Sequence, residues 1–233
     1  MRFGWFQVVL GLLLIGCAGW IGGPAWALTW PALAVIAVGL GYLGLGPGVF
    51  GKRDDGTLRT PHFVLLFPYH VVAWMRVKWD AWRRREDAWN EVAPGLYLGR
   101  IVGAEGLPPG TRVVVDLTSE FACGAAMRDG RDYHCLPALD TSVPRYSDFA
   151  RLARAIAAHE GPVYVHCAAG HGRSATFAAA LLIARGQAGD VDEAEAKLRE
   201  ARPTVHLHRG QRAMVQRFAE ELRARATPSL ATA

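Results

Sequence analysis

In the run His166-Cys167-Ala168-Ala169-Gly170-His171-Gly172-Arg173-Ser174, a cysteine and an arginine stand at opposite ends of a short loop holding two glycines. Thiolate is the nucleophilic form of cysteine, and an unperturbed thiol, with a pKa of roughly 8.5, is only slightly ionised at neutral pH. Backbone N–H groups converging at the start of a helix stabilise such an anion, and they bind an oxyanion for the same reason. Arg173 offers a planar fork that fits two oxygens of a phosphoryl group, which a lysine meets only as a point charge. Gly170 and Gly172 permit the backbone angles needed to wrap an anion and keep Cβ atoms out of the cradle. Ser174 either caps the next helix or donates a hydrogen bond to the sulfur when it becomes a leaving group. A lone free cysteine is most often a buried core residue. The joint occurrence of the preceding His, the Gly three residues on, the Arg six on and the following Ser is rarer, on the order of one in 10^5 per cysteine at ordinary composition. The chemistry read here is attack by Cys167 on a phosphate gripped by Arg173 and the amides of Ala168, Ala169, Gly170, His171 and Gly172.

The flanking residues supply the elements that aim this loop. Residues 161–165 are a short apolar, β-branched run bounded by Gly and Pro, and residues 175–185 are rich in Ala and Leu without Gly or Pro until the end. The unit therefore reads strand, loop, helix. Further strands are expected at 96–99, 112–117, 133–136 and 163–166, and helices at 145–159, 175–185, 191–201 and 209–225. Residues 91–226 suit one compact α/β domain with a central sheet flanked by helices, and residues 227–233 read as a flexible tail.

The motif H-C-x-x-G-x-x-R-S resembles the signature of the cysteine-dependent protein tyrosine phosphatases, and the shortness of the domain is similar to the dual-specificity subgroup, as is Leu96-Tyr97-Leu98-Gly99 to its opening strand. The resemblance implies a phosphocysteine intermediate on Cys167, formed and then hydrolysed with help from a general acid that later acts as base, and it implies no metal and no cofactor. It also implies that the acid is an Asp on a loop roughly 25 to 35 residues before the cysteine. Asp140, 27 residues before Cys167, lies where an apolar strand end gives way to a polar loop closed by Pro144. Asp132 falls at the far end of that strand and Asp148 inside a helix, so both read as solvated surface. His166 reads as a residue that orients the loop by hydrogen bonding, and His171 as either a modulator of substrate choice or a solvent-exposed side chain. Asp116 and Glu120 read as structural, and Gln211 as a weak candidate for positioning water.

Residues 3–51 contain no Asp, Glu, Lys or Arg, and the run breaks at Gly22-Gly23-Pro24. Each half is about long enough to cross roughly 30 Å of hydrocarbon as a helix. The short connector makes residues 1–50 a transmembrane hairpin, with Trp5, Trp20, Trp26 and Trp30 near segment ends where indoles settle at the water interface. Leu14-Ile15-Gly16-Cys17 resembles a lipoprotein box and Ala25-Trp26-Ala27 a signal cleavage site; the single basic residue ahead of the first segment and the basic residues behind the second favour the hairpin. Residues 52–90 carry a net charge of +3 and residues 91–233 only +1, which places the catalytic domain in the cytoplasm. The four cysteines suggest no disulfide framework.

Residues 51–90 form a basic, aromatic juxtamembrane segment. Residues 61–68 are apolar, short and interrupted by proline, so they are expected to lie in the interface or re-enter rather than span. Arg76, Lys78, Trp79, Trp82, Arg83, Arg84 and Arg85 follow, suited either to an anionic lipid surface or to an amphipathic helix packed on the catalytic domain. The near-neutral domain disfavours nucleic acid. The function expected is a membrane-anchored phosphatase. A phosphoprotein is the first substrate class. A phospholipid with a single headgroup phosphate is the alternative, since the phosphatidylglycerophosphate phosphatases are relatives of the resembled family and the loop lacks the basic residues of its polyphosphoinositide-specific members. A phosphate-binding scaffold without activity is the reading of another class.

Overall fold

The computed structural model describes residues 2–226; the expected tail at 227–233 lies outside the described residues. Five strands make one sheet: β1 Trp89–Ala93, β2 Leu96–Arg100, β3 Val113–Thr118, β4 Asp132–Ala138 and β5 Val163–Cys167. Their order is β1-β2-β5-β3-β4, with β1 antiparallel to β2 and the other neighbours parallel. Every residue of β3 and β5 is buried, as expected of parallel strands covered on both faces, which read as continuous apolar runs rather than alternating ones. β1 has no counterpart among the expected strands. It is a half-buried edge strand with a bulge, and Asn90 and Glu91 give it no strong apolar pattern.

The helices of the domain are α5 Tyr146–Ala157, α6 Arg173–Ala184, α7 Val191–Ala201 and α8 Arg209–Ala226, with the single turn α4 Ala125–Arg128 preceding α5. α6 is buried almost all round, and its Ala residues let it sit close to the sheet. It starts two residues earlier than the composition suggested, which puts Arg173 and Ser174 in its first turn. The main core joins β2, β3 and β5 to Phe149, Phe177, Leu181, Val215 and Phe218 of the helices. Because β5 lies between β2 and β3, its carboxy-terminal end opens into the crevice where sheets of this type take ligands.

Two amino-terminal helices, Arg2–Ile21 and Gly23–Phe50, are long and apolar enough to cross a membrane. The first is α1. The second is not uniform: a 3-10 turn leads into α2 Thr29–Leu40, then a π turn over Gly41–Leu45 and a 3-10 turn over Gly46–Phe50. The pair is antiparallel and close. A Cβ on Gly4 would meet the Gly39 carbonyl at 2.9 Å, so small residues set the approach, as they do where helices meet in lipid.

Residues 61–84 differ from expectation. α3 runs unbroken over Thr60–Arg84 with Pro68 inside it. Proline removes the N–H that would bond the Val64 carbonyl, and the Trp30 indole N–H donates there instead, 3.1 Å from Val64 O and 3.2 Å from Leu65 O. The hairpin thus repairs the break, with the half-exposed Trp30 indole as the donor. The first half of α3 packs on the hairpin through Leu66. Its second half packs on the catalytic domain, with Ala73 and Val77 against Ile101, Phe121 and Ala168 and the Trp74 ring 4.7 Å from that of Phe121. Val64, Val72, Met75, Trp79 and Trp82 stay exposed.

Lys52 ties the end of the hairpin to the sheet. Its buried ammonium donates to Asp116 Oδ2 at 2.7 Å and to Thr118 O at 2.8 Å, while Tyr133 donates to the same Asp116 oxygen at 2.7 Å. Burial alone would raise the Asp116 pKa, but the Lys52 charge outweighs it and holds the carboxyl far below the usual range. Asp116 therefore adds stability above the ordinary carboxylate pKa, and that contribution fades only as pH falls through its depressed folded value. Removing the partner strands a buried charge, so Lys52→Met should cost about 3–5 kcal/mol. Lys52→Met combined with Asp116→Asn should recover most of the loss in thermal unfolding of the full chain in micelles.

Candidate active site

Cys167 ends β5, in register with Arg100 of β2, and is nearly buried. Its sulfur accepts the Gly170 N–H at 3.2 Å and lies 3.2 Å from the Ser174 hydroxyl. Both neighbours can donate to the sulfur. Of the two roles open to Ser174, the structure places its hydroxyl on the sulfur, and no side chain caps α6. Gly170 has φ +84°, and a Cβ there would lie 2.6 Å from the Gly99 backbone. Only glycine fits. Gly172 does not need its expected freedom: its φ of −118° is open to any residue, and its neighbour is the Gln211 amide, 3.2 Å from where a Cβ would be.

The Arg173 guanidinium is held in one orientation. Nη1 donates to Glu120 Oε2 and to Ala138 O, each at 2.8 Å, and Nη2 donates to Glu120 Oε1 at 2.7 Å. Among the described residues Nε has no partner, and Nη2 also lies 3.6 Å from Asp140 Oδ1. The Glu120 fork thus occupies one edge of the guanidinium and leaves the Nε–Nη2 edge for two oxygens of an oxyanion. Burial alone would raise the Glu120 pKa, but the charge and hydrogen bonds of Arg173 hold it below the ordinary carboxylate value. Glu120, read from the sequence as structural, positions the arginine. Its one sequence signal is its place just beyond β3, at the carboxy-terminal edge where parallel sheets gather their site residues.

Asp140 follows β4 by two residues, and its half-exposed carboxylate lies between Arg173 and Arg76 of α3, the latter at 3.8 Å. It is therefore at the cradle's mouth. Asp132 starts β4 at the far end and Asp148 lies on α5 paired with Arg151. His166 departs from expectation: among the described residues its buried ring nitrogens have no hydrogen-bond partner, Nε2 lying 3.9 Å from Asp116 Oδ1, and the ring instead stacks 5.5 Å from Tyr164. Burial pushes its pKa down, which keeps the ring neutral.

His171 is not free in solvent. Its Nε2 is 2.6 Å from Glu86 Oε2, just beyond α3. The same Glu86 oxygen takes Arg202 at 3.2 Å, and Arg202 also donates to the Ala169 carbonyl at 3.2 Å. The outer half of the loop, Ala168 to His171, is thus fastened to the end of α3. Gln211 bridges toward the Asp140 loop, donating to Ser142 O at 3.5 Å.

Residues 109–222 match the family model described as Swiss Army Knife protein, DSP-PTPase phosphatase domain. No curated protein sequence matches the chain. Among solved structures, PTPMT1 in complex with PI(5)P is 22% identical over 60% of this chain and 100% of that one, with a TM-score of 0.52. A second PTPMT1 structure is 25% identical over 59% and 98%, at 0.51. Human DUSP28 is 21% identical over 59% and 97%, at 0.52. With the cysteine cradle and its oriented arginine inside the matched stretch, residues 109–222 form a phosphatase domain of the cysteine-dependent, dual-specificity type.

Proposed function

We propose that this phosphatase works at a membrane surface on lipids bearing a single headgroup phosphate. In the first step Cys167 Sγ attacks phosphorus, the bond to the ester oxygen breaks, and Asp140 gives that oxygen its proton. In the second, water attacks the phosphocysteine, Asp140 takes the proton, and the sulfur leaves as thiolate with Ser174 donating to it. Arg173 and the amides from Ala168 to Gly172 hold the phosphoryl oxygens throughout and follow their charge into each transition state. His166 supports the loop from beneath as a neutral ring. The products are an alcohol and inorganic phosphate.

The observation that carries the substrate class is the position of α3. It packs against Ala168 at the cradle while its first half lies on the apolar hairpin, and its exposed Val72, Met75, Trp79 and Trp82 suit immersion in an interface. A phosphate in the bilayer surface is then beside the mouth. A single phosphate fits because Ala168 and Ala169 carry no charge and His171 is matched by Glu86. A protein of the same fold, PTPMT1, is known in complex with PI(5)P. The basic residues behind the hairpin support two spans with the catalytic domain in the cytoplasm.

The test is turnover by the full chain in anionic vesicles. Phosphatidylglycerophosphate or phosphatidic acid should exceed phosphotyrosine and phosphoserine peptides by at least ~10-fold in kcat/KM, and polyphosphorylated inositol lipids should be poor. Peptides preferred over every lipid would replace this reading with the phosphoprotein one.

A further inference from the structure

We infer that the amino-terminal hairpin is a working part of the active site: it holds the Asp140 loop in place, with Tyr42 as the positioning residue and Leu139 as the contact through which it acts. The inference rests on Asp140 being the general acid. It concerns elements that lie outside residues 109–222, the part matched to the phosphatase family.

The loop needs outside support. Thr141 has φ +61°, a conformation a β-branched residue adopts only when its surroundings impose it. Within the loop, Ser142 bonds the Leu139 carbonyl through its N–H at 3.0 Å and its hydroxyl at 2.8 Å. That closes the turn on itself but does not fix it to the sheet. Gln211 reaches it with one long bond to Ser142 O, at 3.5 Å; its apolar anchor is Leu139, which is buried in a cluster with Ala34, Val38, Phe50 and Leu66, flanked by Tyr42 and Tyr69. Every other member of that cluster comes from residues 34–69, so the side chain next to the acid is seated in the hairpin and α3 rather than in the catalytic domain.

Tyr42 then reaches the acid itself. It lies in the π turn over Gly41–Leu45, which follows α2 directly, and such turns are frequent at functional sites. Its ring is backed by Phe3 of α1 at 4.8 Å. Its hydroxyl faces the Asp140 backbone N–H and is within electrostatic reach of Arg173 and Glu120. On the opposite side Arg76 of α3 stands 3.8 Å from the Asp140 carboxylate. Both membrane-side elements therefore converge on one residue. A shift of the hairpin relative to the domain moves Leu139, and with it the acid, while Cys167 and Arg173 keep their own supports in β5, Glu120 and Ala138.

A general acid matters most when the leaving oxygen is a poor leaving group. The full chain in phosphatidylcholine vesicles should be assayed on p-nitrophenyl phosphate and on phenyl phosphate, which leaves less readily. Leu139→Ala, and the gentler Tyr42→Phe, should lower kcat on phenyl phosphate by about 10-fold or more, with a much smaller loss on p-nitrophenyl phosphate. In an Asp140→Asn background neither should cause a further loss. Equal losses on both substrates, or losses that add fully to that of Asp140→Asn, overturn the inference and reduce the contact to packing. If Asp140→Asn itself showed no dependence on the leaving group, the assignment of the acid would fall, and this inference with it.

Discussion

Cys167→Ser should abolish turnover of p-nitrophenyl phosphate, by roughly 10^4-fold or more, the scale on which loss of a nucleophile acts. The reason lies in what surrounds the sulfur. Its two polar neighbours, the Gly170 N–H and the Ser174 hydroxyl, are hydrogen-bond donors; neither is a base. A serine hydroxyl is weakly acidic and needs a base beside it, and among the described residues none bonds the sulfur: the His166 ring stacks on Tyr164 and Asp140 lies beside Arg173. The substitution removes chemistry and leaves the cradle standing. Inorganic phosphate should accordingly inhibit or bind the variant within about threefold of the parent, because its main ligands on this chain, Arg173 and the loop amides, are unchanged. Acid-quenched parent enzyme should carry a phosphoryl group on Cys167 by mass spectrometry, and the variant none. Undiminished activity in Cys167→Ser would falsify the covalent route.

The sequence shows the cradle because its chemistry is local. Cys167, Gly170, Arg173 and Ser174 are close along the chain, so their spacing carries the geometry of the loop. The parallel strands are legible for a similar reason: β3 and β5 are buried on both faces and need continuous apolar runs. What the sequence hides is whatever acts across distance. Glu120 positions Arg173 from 53 residues away, and nothing in its neighbourhood marks it apart from its place past β3. Lys52 looks like one of several juxtamembrane cations until Asp116 is seen beside it. Pro68 argues for a broken helix on local grounds, and the argument fails because Trp30, 34 residues before Val64, supplies the missing donor. His166 shows the converse. Its type suggests hydrogen bonding, but full burial against Tyr164 decides its role.

Arg173→Lys should lower kcat/KM by about 10^2 to 10^4 even though the charge is kept. The guanidinium does two things at once with different edges. Nη1 and Nη2 engage both Glu120 oxygens, and the Nε–Nη2 edge has room for two oxygens of a phosphate. An ammonium cannot divide its donors in that way, so the variant must loosen either its hold on Glu120 or its grip on the substrate. Glu120→Gln tests the first half alone. It preserves shape but replaces one acceptor oxygen with an amide donor facing a guanidinium N–H, and the arginine loses its fixed orientation. Its kcat/KM should fall by about 10- to 100-fold, with the change in kcat exceeding that in KM, since misorientation hurts most where charge develops. Stability falls as well, because breaking a buried pair costs about 3–5 kcal/mol, so both variants must be assayed below their unfolding transitions. The Glu120 carboxyl is held below its ordinary pKa by Arg173; its support for the arginine therefore persists on the acid side of that ordinary value and disappears only as pH falls through the depressed one. If Arg173→Lys and Glu120→Gln are combined, their losses should fall well short of additive, because each already disrupts the same unit. Full additivity would mean that Glu120 does not act through the arginine.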